Sequence, residues 1–258
     1  MPLPPPRPLA PAAVLVLLLA AGCTTVGGSA DGAGPVRELS AGELRAAAVA
    51  DADLGPGYTV TVMAPGHGET GSGGGREVSD VPACQPLLDT VTPAAQAAQA
   101  APAASASPGP EGPYAQTGLS VARAADPEGG VYGGLLGYRP GRAARLQAEL
   151  EKLFGPCASF SSTAPPPPAD RSRKGVRTRH RLTRDDTPTP GGADAVTGFT
   201  LTNESGSVVL SQRALVVRVG QVLAVFTTVG VGAKPAAAPD ERIVRQQAAK
   251  LRAAQAVR

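Results

Sequence analysis

His67 and His180 are the only imidazoles in this chain, and neither stands at ligand spacing from another histidine or from a cysteine. Zinc sites of the ordinary kind draw three or four ligands from such residues, so no metal site is expected. His67 lies in Pro65-Gly66-His67-Gly68-Glu69 and could in principle serve a nucleophilic serine. No Gly-x-Ser-x-Gly elbow occurs, and a solvated loop histidine is the simpler account. The glycines between Gly68 and Arg76 lack the Gly-Lys-Ser/Thr ending with which a phosphate loop grips a nucleotide. Asp185-Asp186 sits in a polar turn, with nothing to bring a second acid opposite it across a glycosidic bond. These residues support no enzyme, no catalytic residue and no cofactor.

One charged run has character. Arg171, Arg173, Lys174, Arg177, Arg179, Arg181 and Arg184 follow one another with no acid between them. In a strand, Arg177, Arg179 and Arg181 share one face, opposite Val176, Thr178, His180 and Leu182. That row is a candidate anion-binding surface for lipid headgroups or phosphate-bearing wall polymers. An exposed edge strand guarded by charge against aggregation is the simpler expectation.

The three cysteines are Cys23, Cys84 and Cys157. Residues 1–22 hold Arg7, an apolar run from Leu9 to Ala21, and Gly22, the order of a secretory signal peptide. The run is too short for a membrane span, which needs about 20 apolar residues. Leu19-Ala20-Ala21-Gly22-Cys23 resembles the lipobox of bacterial lipoproteins, although Ala20 stands where leucine is commonest and Arg7 alone supplies the basic region. The resemblance implies cleavage before Cys23 and a lipid, with palmitate, on its thiol, holding the protein on the extracytoplasmic face of the cell membrane. An odd number of cysteines in an exported protein leaves one to explain, and lipidation of Cys23 does so. Cys84 and Cys157 then form a disulfide, which that compartment permits. Two unpaired buried thiols are the alternative.

A chain with no Trp, 4 Phe and 4 Tyr must build its core from Val, Leu and Ala, and it lacks the aromatic platforms on which nucleic acids stack. Its 24 basic and 21 acidic residues select no partner by bulk charge, and no nucleic acid is expected. Residues 23–37 read as a flexible tether. Residues 38–258 read as one α+β domain, with a disordered Ala/Pro/Ser insertion at about 93–113. Ser40-Ala41-Gly42-Glu43 has capping-box spacing and opens a helix to about Val49. Tyr58 to Met63 alternates as a strand. Val81, Cys84, Leu87, Leu88 and Val91 recur at helical spacing. Strands follow at about 114–124 and 131–138, with a turn over Asp126 to Gly130. An amphipathic helix runs from Arg139 to Phe154, and Gly155-Pro156 stops it just before Cys157. A disulfide between Cys84 and Cys157 would therefore link two helices. Strands at 176–183, 195–203, 207–219 and 222–231 then form a meander turning at Gly206 and Gly220-Gln221, the last two being the most apolar and hence central. A terminal helix begins at Pro239-Asp240-Glu241 and runs through about Ala256.

The succession of lipobox, linker, capped helix, Asp53-Leu54-Gly55-Pro56-Gly57-Tyr58, a helix with Cys84, a helix ending at Cys157, and a meander around Val216-Val217-Arg218-Val219-Gly220 resembles a known group. These are actinobacterial lipoproteins related to the extracytoplasmic sensor domain of PknH-type serine/threonine kinases. The resemblance spans roughly Glu38 to Ala256. It implies an antiparallel β-sheet flanked by helices, a cleft that receives a ligand, and disulfides holding the helices, with no catalytic residue. Domains of that group generally carry more than one disulfide, whereas here only Cys84 and Cys157 are left for one. Neither a kinase domain nor a transmembrane helix is evident in the sequence, so signalling would require another protein. The expected function is thus a non-catalytic, lipid-anchored binding or sensor-like domain for a small or lipid-like ligand. The alternatives are an assembly factor that binds another envelope protein or an anionic polymer and, less favoured, an envelope hydrolase.

Overall fold

The alternating β-branched and aliphatic runs become strands of one antiparallel sheet in the computed structural model. The structure describes residues 37–63, 76–92, 112–166 and 175–256. Cys23, His67, the expected leader, the tether before Arg37, residues 93–111 of the expected insertion, and Arg171, Arg173 and Lys174 lie outside these residues.

In chain order the elements are α1 (Ala41–Ala46), α2 (Asp51–Leu54), β1 (Tyr58–Met63), β2 (Val78–Ser79), a 3-10 turn (Pro82–Cys84) running into α3 (Gln85–Val91), β3 (Ala115–Arg123), β4 (Asp126–Gly137), α4 (Arg142–Lys152), β5 (Ser159–Ala164), β6 (Val176–Asp185), β7 (Ala195–Ser205), β8 (Val208–Val219), β9 (Val222–Val231) and α5 (Glu241–Ala256). The fold is α+β, a mostly antiparallel sheet with a few helices. Its strands lie in the order β1-β3-β4-β9-β8-β7-β6-β5-β2, with the two most apolar strands in the middle.

Two-residue turns at Gly206-Ser207 and Gly220-Gln221 set the register of the last three strands, and both glycines take the positive φ that such turns require (58° and 57°). The Gly220 amide also donates to Asp194 Oδ2 at 2.6 Å. With register set, alternation divides β8 and β9 between two cores. Leu215, Val217 and Val219, with Val222, Ala224 and Phe226, face α1 and α5, where Leu44, Ile243, Val244 and Leu251 complete one cluster. Ala214, Val216, Leu223 and Val225 face the other way, onto Leu87, Leu88, Val91 and Leu150 of α3 and α4. Gly133 lets β4 approach β9, since a Cβ there would stand 2.3 Å from the Val225 carbonyl oxygen.

The Ser40 capping box forms as its spacing implies: the Glu43 amide donates to Ser40 Oγ and the Ser40 amide to Glu43 Oε2. Because α1 stops at Ala46, the backbone after it needs other partners. Gln247 of α5 supplies them, accepting from the Val49 amide at 2.9 Å and donating to the Ala47 carbonyl at 2.8 Å.

The disulfide joins Cys84 and Cys157 with a Cα separation of 5.7 Å, and both residues are fully buried. It does not link two helices in the expected manner. Cys84 closes the 3-10 turn ahead of α3, where Pro82 and Pro86 keep the first turn tight, and Cys157 lies in the turn after α4. Three further expectations change. The hairpin between β3 and β4 turns at Ala124-Ala125, so Asp126 to Gly130 belong to β4. β5 and β2 complete one side of the sheet, where no strands were expected. β6 is paired along both sides and is not an edge.

The cysteines close a loop of 73 residues. Replacing both with alanine should lower the unfolding free energy by about 4 kcal/mol on the chain-entropy account, seen as a lower urea midpoint. An unchanged midpoint would show that the cross-link adds nothing to packing already present.

Candidate functional site

β6 carries Thr178, His180 and Leu182 on the face that packs toward α3 and α4, so its one histidine points into the protein and is 1% exposed. Cross-strand register fixes its surroundings. Phe160 of β5 pairs with His180 on one side and stacks on the imidazole with centroids 4.7 Å apart. Asn203 of β7 pairs with it on the other side, and its Oδ1 lies 2.7 Å from His180 Nδ1. Ser162, one inward position along β5, places its Oγ 2.6 Å from Nε2.

The chain of contacts continues at both ends. Ser162 donates to Glu77, whose carboxylate also stands 3.6 Å from His180 Nε2, and Asn203 Nδ2 donates to Gln212 Oε1 of β8 at 2.7 Å. As oriented, both ring nitrogens face acceptors, because the Ser162 proton is committed to Glu77. The His180 ring is the largest influence holding the Glu77 carboxyl below its ordinary value. The Ser162 and Thr178 hydroxyls add to it, and together they outweigh the opposing effect of burial.

A cavity of about 310 Å³ opens on this row. The sheet supplies Thr178, His180, Asn203, Ser205 and Gln212 and, beside them in register, Leu210 next to Asn203 and Val208 next to Ser205. Glu77, with Leu88 and Val91 of α3 and Thr92 just after it, completes the lining. Ser162 does not line it and is 1% exposed, so the serine and histidine do not present a nucleophile to the cavity. The arrangement is suited to holding a molecule by a mixture of hydrogen bonds and apolar contacts.

The other sequence-derived candidates separate. Asp185 ends β6, where it accepts from Arg213 Nε at 2.9 Å and from Thr200 at 3.1 Å. It borders a second cavity of about 350 Å³ near Arg184 and Thr197, both of which are held by Glu151. Arg177, Arg179 and Arg181 lie on the face of β6 opposite His180, exposed. Glu77, Ser162, Asn203 and Gln212 were not singled out from the sequence. The signal that could have found them is a histidine in the buried phase of a strand, which needs polar partners from its neighbours. Among the described residues no group of three or more His, Cys, Asp or Glu could hold a metal ion, and no helix is long and apolar enough to cross a membrane.

No family model matches the sequence, and no curated protein matches it. Among solved structures the chain is similar to the crystal structure of the extracellular domain of PknH from Mycobacterium tuberculosis, with 14% identity and a TM-score of 0.47, over 83% of this chain and 95% of that one. The likeness is distant, and the chemistry of the cavity is read from this chain's own residues.

Because Glu77 is held below its ordinary value in the folded protein, its contribution to stability is complete above the unfolded carboxylate range. It is lost as pH falls through the lowered folded value. Glu77→Gln should therefore be less stable than the parent chain at neutral pH, and the difference should close in acid. Parallel urea titrations across pH test this, and a gap that widened in acid would reverse the assignment.

Proposed function

We propose that this chain is a lipid-anchored, extracytoplasmic binding protein, held to the cell membrane by acylated Cys23, that takes a small amphipathic ligand in the cavity beside His180 without turning it over. The observation that carries the anchoring is the pairing of Cys84 with Cys157, which leaves Cys23 as the odd thiol directly after a short apolar leader. A buried disulfide also suits an oxidising compartment.

The cavity supports the binding reading by its mixed lining. Hydroxyl and amide groups of Thr92, Thr178, Asn203, Ser205 and Gln212 are interspersed with the aliphatic side chains of Leu88, Val91, Val208 and Leu210. A purely apolar pocket would suit an acyl chain, whereas this one suits a molecule that carries both polar and apolar groups. Val208 and Val231, 59% and 65% exposed at the end of β8 and β9 away from their turn, continue apolar surface outward from Leu210. Non-catalytic binding is favoured because the Ser162 hydroxyl is buried and engaged by Glu77.

Two measurements separate the parts of this reading. In a bacterial host fed labelled palmitate, the membrane-bound chain should carry label, and Cys23→Ser should release unlabelled protein from the membrane. Label persisting in the variant would refute lipidation at that thiol. In NMR titration with octyl glucoside below its micellar concentration, amide shifts should concentrate around Thr178, Asn203 and Gln212, and Leu210→Trp should abolish them. Diffuse shifts, or shifts indifferent to that substitution, would remove the cavity as the binding site.

A further inference from the structure

Arg177, Arg179 and Arg181 stand in a line on the sheet face that carries α1 and α5 farther along, and they are exposed because those helices pack over other strands. An edge strand would explain such charge as a guard against aggregation, but β6 pairs with β5 along Arg177 to Arg181 and with β7 from Arg179 onward. The charge therefore needs a different account. Hydroxyls flank it in register: Ser159 lies beside Arg181, Ser161 beside Arg179 and Thr163 beside Arg177, with Thr202 across from Arg181.

The guanidiniums are only lightly engaged. Arg177 stands 3.7 Å from Asp80 and Arg179 stands 3.8 Å from Glu204, with the arginine side chains 74% and 73% exposed. Ion pairs so open to water are weak and leave most donors free. Arg181 has no ion pair or side-chain hydrogen bond among the described residues.

We infer that this strip docks a linear phosphodiester polymer, one with a short polyol between successive phosphates. Residues on one face of a strand recur about every 7 Å. A three-carbon polyol phosphate has six backbone bonds of about 1.5 Å per repeat, which also projects to roughly 7 Å when extended. Each guanidinium can meet a phosphate with two parallel N–H donors, while the flanking serines and threonines reach the polyol oxygens. No aromatic residue lies on this face of β5, β6 or β7, and Val78 and Val209 stand only at its margins. A surface built to insert into lipid or to stack bases would need such groups. The inference shares with the proposed function only the location outside the cell and does not depend on the cavity.

The test is fluorescence anisotropy of labelled poly(glycerol phosphate) with the purified full-length chain, with phosphatidylglycerol vesicles and inorganic phosphate as parallel arms. Three neutralised phosphates, at a slope of about −0.7 each, should weaken polymer binding about twenty-fold between about 50 and 200 mM salt. Arg177→Ser/Arg179→Ser/Arg181→Ser should lose about ten-fold or more at the lower salt with an unchanged thermal midpoint, and Leu210→Trp should bind the polymer as well as the parent. Vesicle binding without polymer binding would overturn the inference in favour of a membrane surface. Polymer binding indifferent to the triple substitution, or absent altogether, would also overturn it. Loss of octyl glucoside binding alone would count against the cavity and leave the strip standing.

Discussion

The alternation of side chains along β8 and β9 is the constraint on which the rest of the structure depends. Both strands are covered on both faces through their middle, so each residue must fit one of two different cores. Phe226 and Val217 belong to the cluster under α1 and α5, and Val216 and Val225 to the cluster under α3 and α4. A slip of one residue would exchange the two sets, sending Phe226 to the space shaped for Val225. The Gly220 turn prevents this by fixing Val219 opposite Val222, and Asp194 holds the turn through the Gly220 amide.

Because the two helical layers cover different parts of the width, each face of the sheet keeps an uncovered region. Beyond α5, the uncovered part of one face holds the arginine row. Beyond α3, the uncovered part of the other holds the cavity and the exposed valines at the end of the hairpin. Both candidate surfaces follow from one arrangement, in which a wide sheet has too few helices to cover it. The disulfide then matters for the cavity in particular. It ties the entrance of α3 to the turn after α4, and α3 contributes Leu88 and Val91 to the cavity wall.

Much of this arrangement was legible in the sequence wherever a local rule carried the information. The capping box at Ser40, the turns at Gly206 and Gly220, the span of β9 and the start of α5 all follow from short-range chemistry, whereas the pairing of the last two cysteines follows from counting thiols with Cys23 set aside. β5 was not legible, because Ser159-Phe160-Ser161-Ser162-Thr163-Ala164 has one large apolar residue and owes its strand state to β6 beside it. The standing of β6 in the sheet was unreadable for the same reason, since only the unrecognised β5 keeps it from being an edge. The polar row was hidden more deeply. Glu77, Ser162, His180, Asn203 and Gln212 come from separate segments, and cross-strand register alone makes them neighbours.

What that row contributes can be judged by comparing it with an apolar substitute. Taking an imidazole, an amide and a carboxylate out of water costs free energy that their mutual contacts offset only in part, and well-packed aliphatic side chains of similar volume are often as stabilising or more so. Val and Leu at these positions would continue the cluster that already includes Phe160, Leu182 and Leu201. Stability alone therefore does not call for the row. An aliphatic substitute would lack the donors and acceptors that His180, Asn203 and Gln212 present at the cavity, oriented by Phe160 stacking and by one another. Orientation by neighbours is also what a binding site requires, because groups already fixed lose little freedom when a ligand arrives. The cost of the polar row to folding thus favours the proposed binding role of the cavity beside α3.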